Sequence, residues 1–173
     1  AGKTLLCCAQ PVSDLEISYV PAAGKAGTAV RQYAATVTRM DRLTEDVMQL
    51  VLRVEGPPLA YHAGQYINIL LPDGSRRSFS FASAPRPDTA EIELQIRRID
   101  GGRFTPAVFE TMKTGDRLTF EGPLGAFTLR EDSDKPIIFV AGSTGFAPVK
   151  SMVEHAFRTG LQRRMILYWG VRR

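Results

Sequence analysis

The sequence predicts a small antiparallel, Greek-key β-barrel with one helix, followed by the start of an α/β parallel-sheet unit. Three observations carry this. From Gln32 onward, short runs alternate apolar and polar residues with the period of half-buried strands. After Pro123-Leu124-Gly125 the alternation gives way to two continuous apolar runs flanking a helical pattern. The composition, 44% apolar and 23% charged over 173 residues, is that of a globular chain and excludes disorder.

Residues 1–19 hold a short apolar run, then Pro11, a Ser13-Asp14 turn and a strand over 15–19. Residues 20–30 are rich in Ala, Gly and Pro and read as a linker. In the next stretch Met48, Leu50, Leu52 and Val54 alternate with Gln49, Val51 and Arg53. Residues 65–71 form an apolar strand ended by the turn signal Pro72-Asp73-Gly74, and 76–82 form another. Ile92, Leu94 and Ile96 alternate strictly, as do Leu118 and Phe120. Strands this short and this regularly spaced close into a small barrel. Thr105 suits an N-cap and Pro106 the first helical position, which starts the one helix, running to about Met112. The run over 137–141 fits a strand buried on both faces, and Met165 to Trp169 a second one. Between them Val149, Met152, Val153 and Ala156 follow helical spacing, and Gly160 closes that helix.

Several function classes are excluded early. The net charge is only +4, and the arginines come in scattered pairs such as Arg76-Arg77 and Arg97-Arg98. That pattern fits anionic small molecules or an acidic partner, not nucleic acid. No run of about 18 apolar residues occurs, so no membrane span is expected. No basic stub followed by an apolar run opens the sequence, so no signal peptide is expected either. The two cysteines, Cys7 and Cys8, are adjacent and cannot build a disulfide framework, which favours a reducing cytoplasm.

Four stretches carry chemistry. In Arg77-Ser78-Phe79-Ser80, a strand puts Arg77 and Phe79 on one face and Ser78 and Ser80 on the other. An arginine beside an aromatic ring can hold an anion and stack on a flat ligand. In Arg97-Arg98-Ile99-Asp100-Gly101-Gly102-Arg103-Phe104-Thr105, glycines lead into a helix start and arginines precede it, an arrangement that favours phosphate. Gly122-Pro123-Leu124-Gly125-Ala126-Phe127 is by itself only a turn. Val140-Ala141-Gly142-Ser143-Thr144-Gly145-Phe146-Ala147-Pro148 joins a buried strand to a helix through a glycine turn, as dinucleotide-binding units do. Each has a plainer reading alone: an amphipathic strand, a capped helix, a turn, an α/β connection. His62 and His155 read as surface or satisfied residues, and Glu154 and Asp116 as solvated charges.

Together, in this order and spacing, these motifs resemble the ferredoxin–NADP reductase superfamily of flavoproteins. Ala63-Gly64-Gln65-Tyr66 and Tyr168-Trp169-Gly170-Val171-Arg172 add to the likeness, which covers the chain from about residue 30. Leu5-Leu6-Cys7-Cys8-Ala9-Gln10-Pro11 is similar to the end of a plant-type ferredoxin domain, with Cys7 at its fourth cluster position. Within the superfamily, the reductases of oxygenase systems and CDP-deoxy-glucoseen reductases share this domain order, and the latter look most similar.

The resemblance implies a domain plan: 1–19 as a ferredoxin tail, 20–30 as linker, 31–128 as an FAD barrel and 135–173 as the opening of an NAD(P) domain. It also implies hydride transfer from NADH or NADPH to FAD. Single electrons then pass through a 2Fe-2S cluster to an acceptor protein, an iron-sulfur dehydratase or an oxygenase component. By the same likeness Arg77 meets the FAD pyrophosphate, Ser78 is among the cofactor-binding residues, Phe79 stacks on the isoalloxazine, and Ser80 is the catalytic residue near the hydride-accepting nitrogen. Arg98, Gly101, Gly102, Arg103 and Thr105 cradle phosphate. Gly142, Thr144 and Gly145 meet the nicotinamide cofactor, with Tyr168, Gly170 and Arg172 close by. Cys7 is a metal ligand only within an intact ferredoxin domain. One thiolate cannot hold a cluster, so none is expected in this chain. Phe79 stands where the family has Tyr, and Ser143 where it has Gly. Two other readings remain open: a free-flavin reductase, and a non-catalytic flavin-binding electron-transfer subunit.

Overall fold

The structure, a computed structural model, describes residues 12–16 and 29–171. Cys7, Cys8, most of the strand expected over 15–19, most of the linker and Arg172 lie outside the described residues. The barrel is built from β1 (Arg31–Arg42), β2 (Val47–Val54), β3 (Tyr66–Leu70), β4 (Arg76–Ser80), β5 (Glu91–Arg97), α1 (Thr105–Glu110) and β6 (Arg117–Leu124). A parallel unit follows: β7 (Ile137–Gly142), a 3-10 turn (Ser143–Gly145), α2 (Phe146–Arg158) and β8 (Met165–Gly170).

The six antiparallel strands run β4-β3-β6-β1-β2-β5, so β6 returns to lie between β1 and β3. The two ends meet through a bridge between Phe81 and Leu94, which curls the sheet into a barrel. Alternation along the strands sends Leu50, Leu52, Ile67, Ile69, Leu94, Ile96 and Phe120 inside, each fully buried. Each such side chain is stabilised by about 1.5–3 kcal/mol relative to exposure.

A second cluster joins Phe139, Ala141, Val149, Met152 and Ala156 of the parallel unit to Ala63 and Leu129. Gly64 makes this closeness possible. A methyl group there would stand 2.1 Å from the Phe127 carbonyl oxygen and 2.2 Å from the Met152 Cε.

Two expectations are corrected. The runs at β7 and β8 are not buried on both faces: Ile138 is 63% and Val140 78% exposed. Among the described residues the second cluster, with α2, covers one face of this two-stranded sheet, and the alternate residues face away from it. The second concerns Thr105, which is the first residue of α1, not its N-cap; Phe104 holds that position without a side-chain bond, and Pro106 follows inside the helix.

Candidate functional site: two phosphate-type turns beside a cavity

β4 pairs with β3 so that Arg77 lies opposite Ile69 and Phe79 opposite Ile67. Arg77 and Phe79 therefore share the inner side of the strand. Phe79 is half-buried against the core, with its ring tilted on Phe104 at 5.7 Å. Among the described residues the Arg77 guanidinium donates only to the Arg76 carbonyl, at 2.7 Å, and meets no carboxylate. Ser78 lies on the other side: its hydroxyl donates to Asn68 Oδ1 at 2.7 Å, and Asn68 Nδ2 donates to Glu121 at 2.9 Å. Ser80 is half-buried and pairs with Tyr66. Thus the structure brings Arg77 and Phe79 together and sets Ser78 apart from them.

Phe104 leads to the glycine turn over 99–105. Gly102 N donates to the Ile99 carbonyl at 3.0 Å. A methyl group at Gly102 would sit 2.8 Å from that carbonyl oxygen and 3.0 Å from Thr105 Oγ1, so this backbone approach needs glycine. The Thr105 hydroxyl accepts from Ile99 N at 2.9 Å, stapling the turn backward instead of capping the helix. Arg103 donates to Asp73 Oδ2 at 2.6 Å, tying this turn to the one between β3 and β4. The Ser75 hydroxyl and backbone N–H, with Arg103, hold the Asp73 carboxyl well below the usual carboxylate range. Arg98 is engaged by Asp100 at 3.1 Å and Glu110 at 2.7 Å. Between the β3–β4 turn and α1 lies a groove of about 720 Å³ lined by Leu71, Asp73, Arg103, Phe104 and Leu118.

At the carboxyl ends of the parallel strands Gly142 pairs with Gly170. Gly142 and Gly145 look onto open space, and a methyl group at Gly170 would come no closer than 4.0 Å to Ala141 O. That is the crevice in which open α/β sheets take ligands. It adjoins a cavity of about 890 Å³ between this unit and the barrel, lined by Gln49, Gln95 and Arg97 on one side and Ser143, Thr144, Phe146 and Trp169 on the other. Tyr168 pairs with Val140 on the uncovered sheet face, whereas Trp169 shares the α2 side with Ala141 and stacks on Phe146 at 4.3 Å. Trp169, not Tyr168, is therefore the aromatic residue that β8 brings to the cavity, beside Phe146. The period of two in β8, read together with Phe146 opening α2, is the signal that could have found it.

The two units are stitched by side chains. Ser151 donates to the Ser83 carbonyl at 2.6 Å, Arg158 to the Pro85 carbonyl at 2.6 Å, and Glu154 accepts from Ala84 N at 3.1 Å. Glu154 is thus a junction residue, not a solvated charge. His155 meets Glu131 at 3.2 Å, as a satisfied surface histidine does. Sequence reasoning also missed Lys150 and Asp46, whose partners are distant in the chain, and Arg97, read there with the glycine turn, instead meets Asp46 and Ser143.

Among the described residues no helix is long and apolar enough to cross a membrane. No cluster of His, Cys, Asp and Glu among them is placed to hold a metal ion.

Comparison with known proteins agrees with this geometry. A family profile described as "Oxidoreductase FAD-binding domain" matches residues 34–129, and one described as "Oxidoreductase NAD-binding domain" matches residues 139–173. The CDP-6-deoxy-L-threo-D-glycero-4-hexulose-3-dehydrase reductase of Yersinia pestis is 40% identical over 98% of this chain and 51% of its own length. The reductase subunit of the aromatic O-demethylase of Amycolatopsis is 34% identical over 99% of this chain and 52% of that protein. The chain spans about half the length of the curated relatives it matches. Among solved structures, the Amycolatopsis cytochrome P450 reductase GcoB superposes with a TM-score of 0.78 at 34% identity, over 87% of this chain and 46% of that one. Phthalate dioxygenase reductase, at 22% identity and a TM-score of 0.72 over 82% of this chain and 44% of its own, shares the fold. With the first profile spanning more than half of its residues, the chain belongs to the oxidoreductase FAD-binding domain family.

Proposed function

We propose that this chain supplies the flavin-binding elements, and the first nicotinamide-binding elements, of an NAD(P)H-dependent reductase. It would pass electrons through an iron-sulfur centre to a partner enzyme, a deoxysugar dehydratase or an oxygenase component. The observation that carries the reading is the Phe79–Phe104 contact. It joins the strand bearing an arginine that meets no carboxylate among the described residues to a turn that needs glycine at 102. The relatives named as reductases of a dehydrase and of a demethylase support the choice of partner class.

The residues fit the two cofactors. Arg77 offers a guanidinium to the FAD pyrophosphate, and Gly101, Gly102 and Arg103 leave backbone and charge beside it. Thr105 and Arg98 act by holding that turn, since both are already bonded within it. Phe79 supplies a stacking face for the isoalloxazine. Ser78, on the outer side of the strand with its hydroxyl on Asn68, is assigned with the flavin-binding residues, and Ser80, which ends the strand, would lie near the hydride-accepting nitrogen. Gly142, Gly145 and Gly170 leave room at the parallel strand ends for a nicotinamide nucleotide, which Thr144 and Tyr168 would meet; Arg172, assigned to the same nucleotide, lies outside the described residues. When bound, FAD supplies two-electron exchange with the nicotinamide and one-electron exchange with the iron-sulfur centre. Cys7 would ligate that centre in an intact ferredoxin-type domain, and the compartment is the cytoplasm. The domain plan 1–19, 20–30, 31–128 and 135–173 follows from the same reading.

A visible spectrum of the FAD-loaded chain, followed by anaerobic NADH and NADPH titration, tests this. Yellow protein bleached by either nucleotide supports the reductase. Protein that gains no flavin absorbance overturns every flavin reading.

A further inference from the structure

Ser143 is the one residue other than glycine with a positive φ, 49°, among the described residues. A side chain in that conformation is strained and persists only where its surroundings hold it. Here two units hold it from opposite sides. From the barrel, Arg97 Nη1 donates to the Ser143 hydroxyl at 3.2 Å. From β8, the Trp169 indole N–H donates to the Ser143 carbonyl at 3.0 Å.

Both holders are themselves fixed. Arg97 Nε donates to Asp46 Oδ2 at 2.7 Å, and the other oxygen of Asp46 accepts the Thr44 hydroxyl at 2.9 Å. The Arg98 backbone N–H donates to the Asp46 carbonyl at 2.7 Å, so carboxylate and strand end move together. The Trp169 ring lies stacked on Phe146, tilted only 19° from parallel. A glycine at 143 would adopt this φ without strain but would offer no hydroxyl to the barrel. Serine gives up backbone ease and gains a handle that reaches across 46 residues of sequence to Arg97.

We propose that Arg97 is a positioning residue. Through the Ser143 hydroxyl it latches the turn carrying Thr144 and Gly145 to the barrel, and so sets the spacing between the nicotinamide-binding and flavin-binding elements. This rests on the functional reading above. The latch itself is a contact between two units and is measurable without turnover.

The test uses the FAD-loaded chain and the variants Ser143→Ala, Ser143→Gly, Arg97→Met and the double Ser143→Ala/Arg97→Met. In urea denaturation, Ser143→Ala and Arg97→Met each lower the folding constant, and the double variant falls short of their product by about fivefold, as coupled neighbours do. Ser143→Gly, freed of strain, folds with a constant about tenfold above that of Ser143→Ala. Its flavin reduction by saturating nicotinamide nonetheless slows about threefold or more, with the nucleotide Kd little changed. Ser143→Gly regaining stability over Ser143→Ala without regaining the wild-type rate is a signature that a merely structural serine would not give. Independent effects in the double variant, or unslowed reduction in Ser143→Gly, would overturn the proposal. A wild-type chain that binds FAD yet is reduced by neither nucleotide would overturn the functional reading, while the denaturation cycle still decides the latch.

Discussion

The Lys150 ammonium of α2 donates to the Ala82 carbonyl at 2.8 Å, hooking the parallel unit onto the segment that leaves β4. It also meets Glu93 at 2.9 Å and Glu154 at 2.8 Å, and Glu93 is only 14% exposed. Burial works to lower the Lys150 pKa, but hydrogen bonds to Glu154 and Glu93 outweigh it and hold the group above the ordinary lysine value. Lys150→Met should therefore cost about 2 kcal/mol, most of it from the Glu93 carboxylate left unpaired. Adding Glu93→Gln should recover part of that loss in urea denaturation. A double variant no more stable than Lys150→Met would show that the carboxylate is not the source.

Tyr61 is buried beside Phe81, with ring centroids 3.8 Å apart, and its hydroxyl donates to the Ser83 carbonyl at 3.0 Å. Burial pushes its phenol up to about 12, against a smaller opposing pull from the Ser83 hydrogen bond. The folded chain therefore prefers the neutral phenol more strongly than the unfolded chain, whose tyrosine titrates near 10. This contribution is complete below about pH 10 and is lost as pH rises through about 12. Tyr61→Phe should flatten that alkaline decline and cost only about 1 kcal/mol at pH 7. A pH series of thermal unfolding reads both, and an unchanged alkaline limb in the variant would refute the assignment.

Strand content and the shared face of Arg77 and Phe79 were legible because a period of two is local. The glycine turn before α1 was legible as a turn, yet Thr105 was misplaced by one position. Its hydroxyl answers to Ile99, six residues back, and not to the helix it opens. Continuous apolar runs say that a strand is apolar, not which neighbour covers it, and so Val140 proved exposed. The least legible residues were those whose meaning lies across the junction. Trp169 finds Ser143 26 residues away, and Lys150 finds Ala82 68 away. No local pattern encodes such pairings.

Gly102 offers a sharper test of the turn than any arginine. A methyl group there would lie 2.8 Å from the Ile99 carbonyl oxygen, which is backbone and cannot swing aside. Gly102→Ala should open the turn and weaken FAD binding by about tenfold or more, equivalent to about 1.4 kcal/mol. Gly56→Ala is the control, because Gly56 also has a positive φ, 92°, but faces open space. It should cost roughly 1 kcal/mol of stability through backbone strain and leave FAD affinity unchanged. Flavin fluorescence titration measures both variants, and equal losses of affinity would assign the effect to general destabilisation.

Arg77 carries the heaviest expectation. Arg77 is half-buried and among the described residues its guanidinium donates only to a neighbouring carbonyl, so a ligand can recruit it without breaking an ion pair there. A charge-assisted contact to phosphate contributes about 1.5–3 kcal/mol. Arg77→Gln should therefore weaken FAD binding roughly 10- to 100-fold, with little change in folding because no partner is orphaned. Arg77→Lys should recover only part of the affinity, since an ammonium cannot match a planar fork on two oxygens. The loss should also shrink as salt rises, for the contact is partly open to solvent. Unchanged FAD affinity in Arg77→Gln would remove β4 from the phosphate end of the site, and the 99–105 turn would then have to hold the pyrophosphate alone.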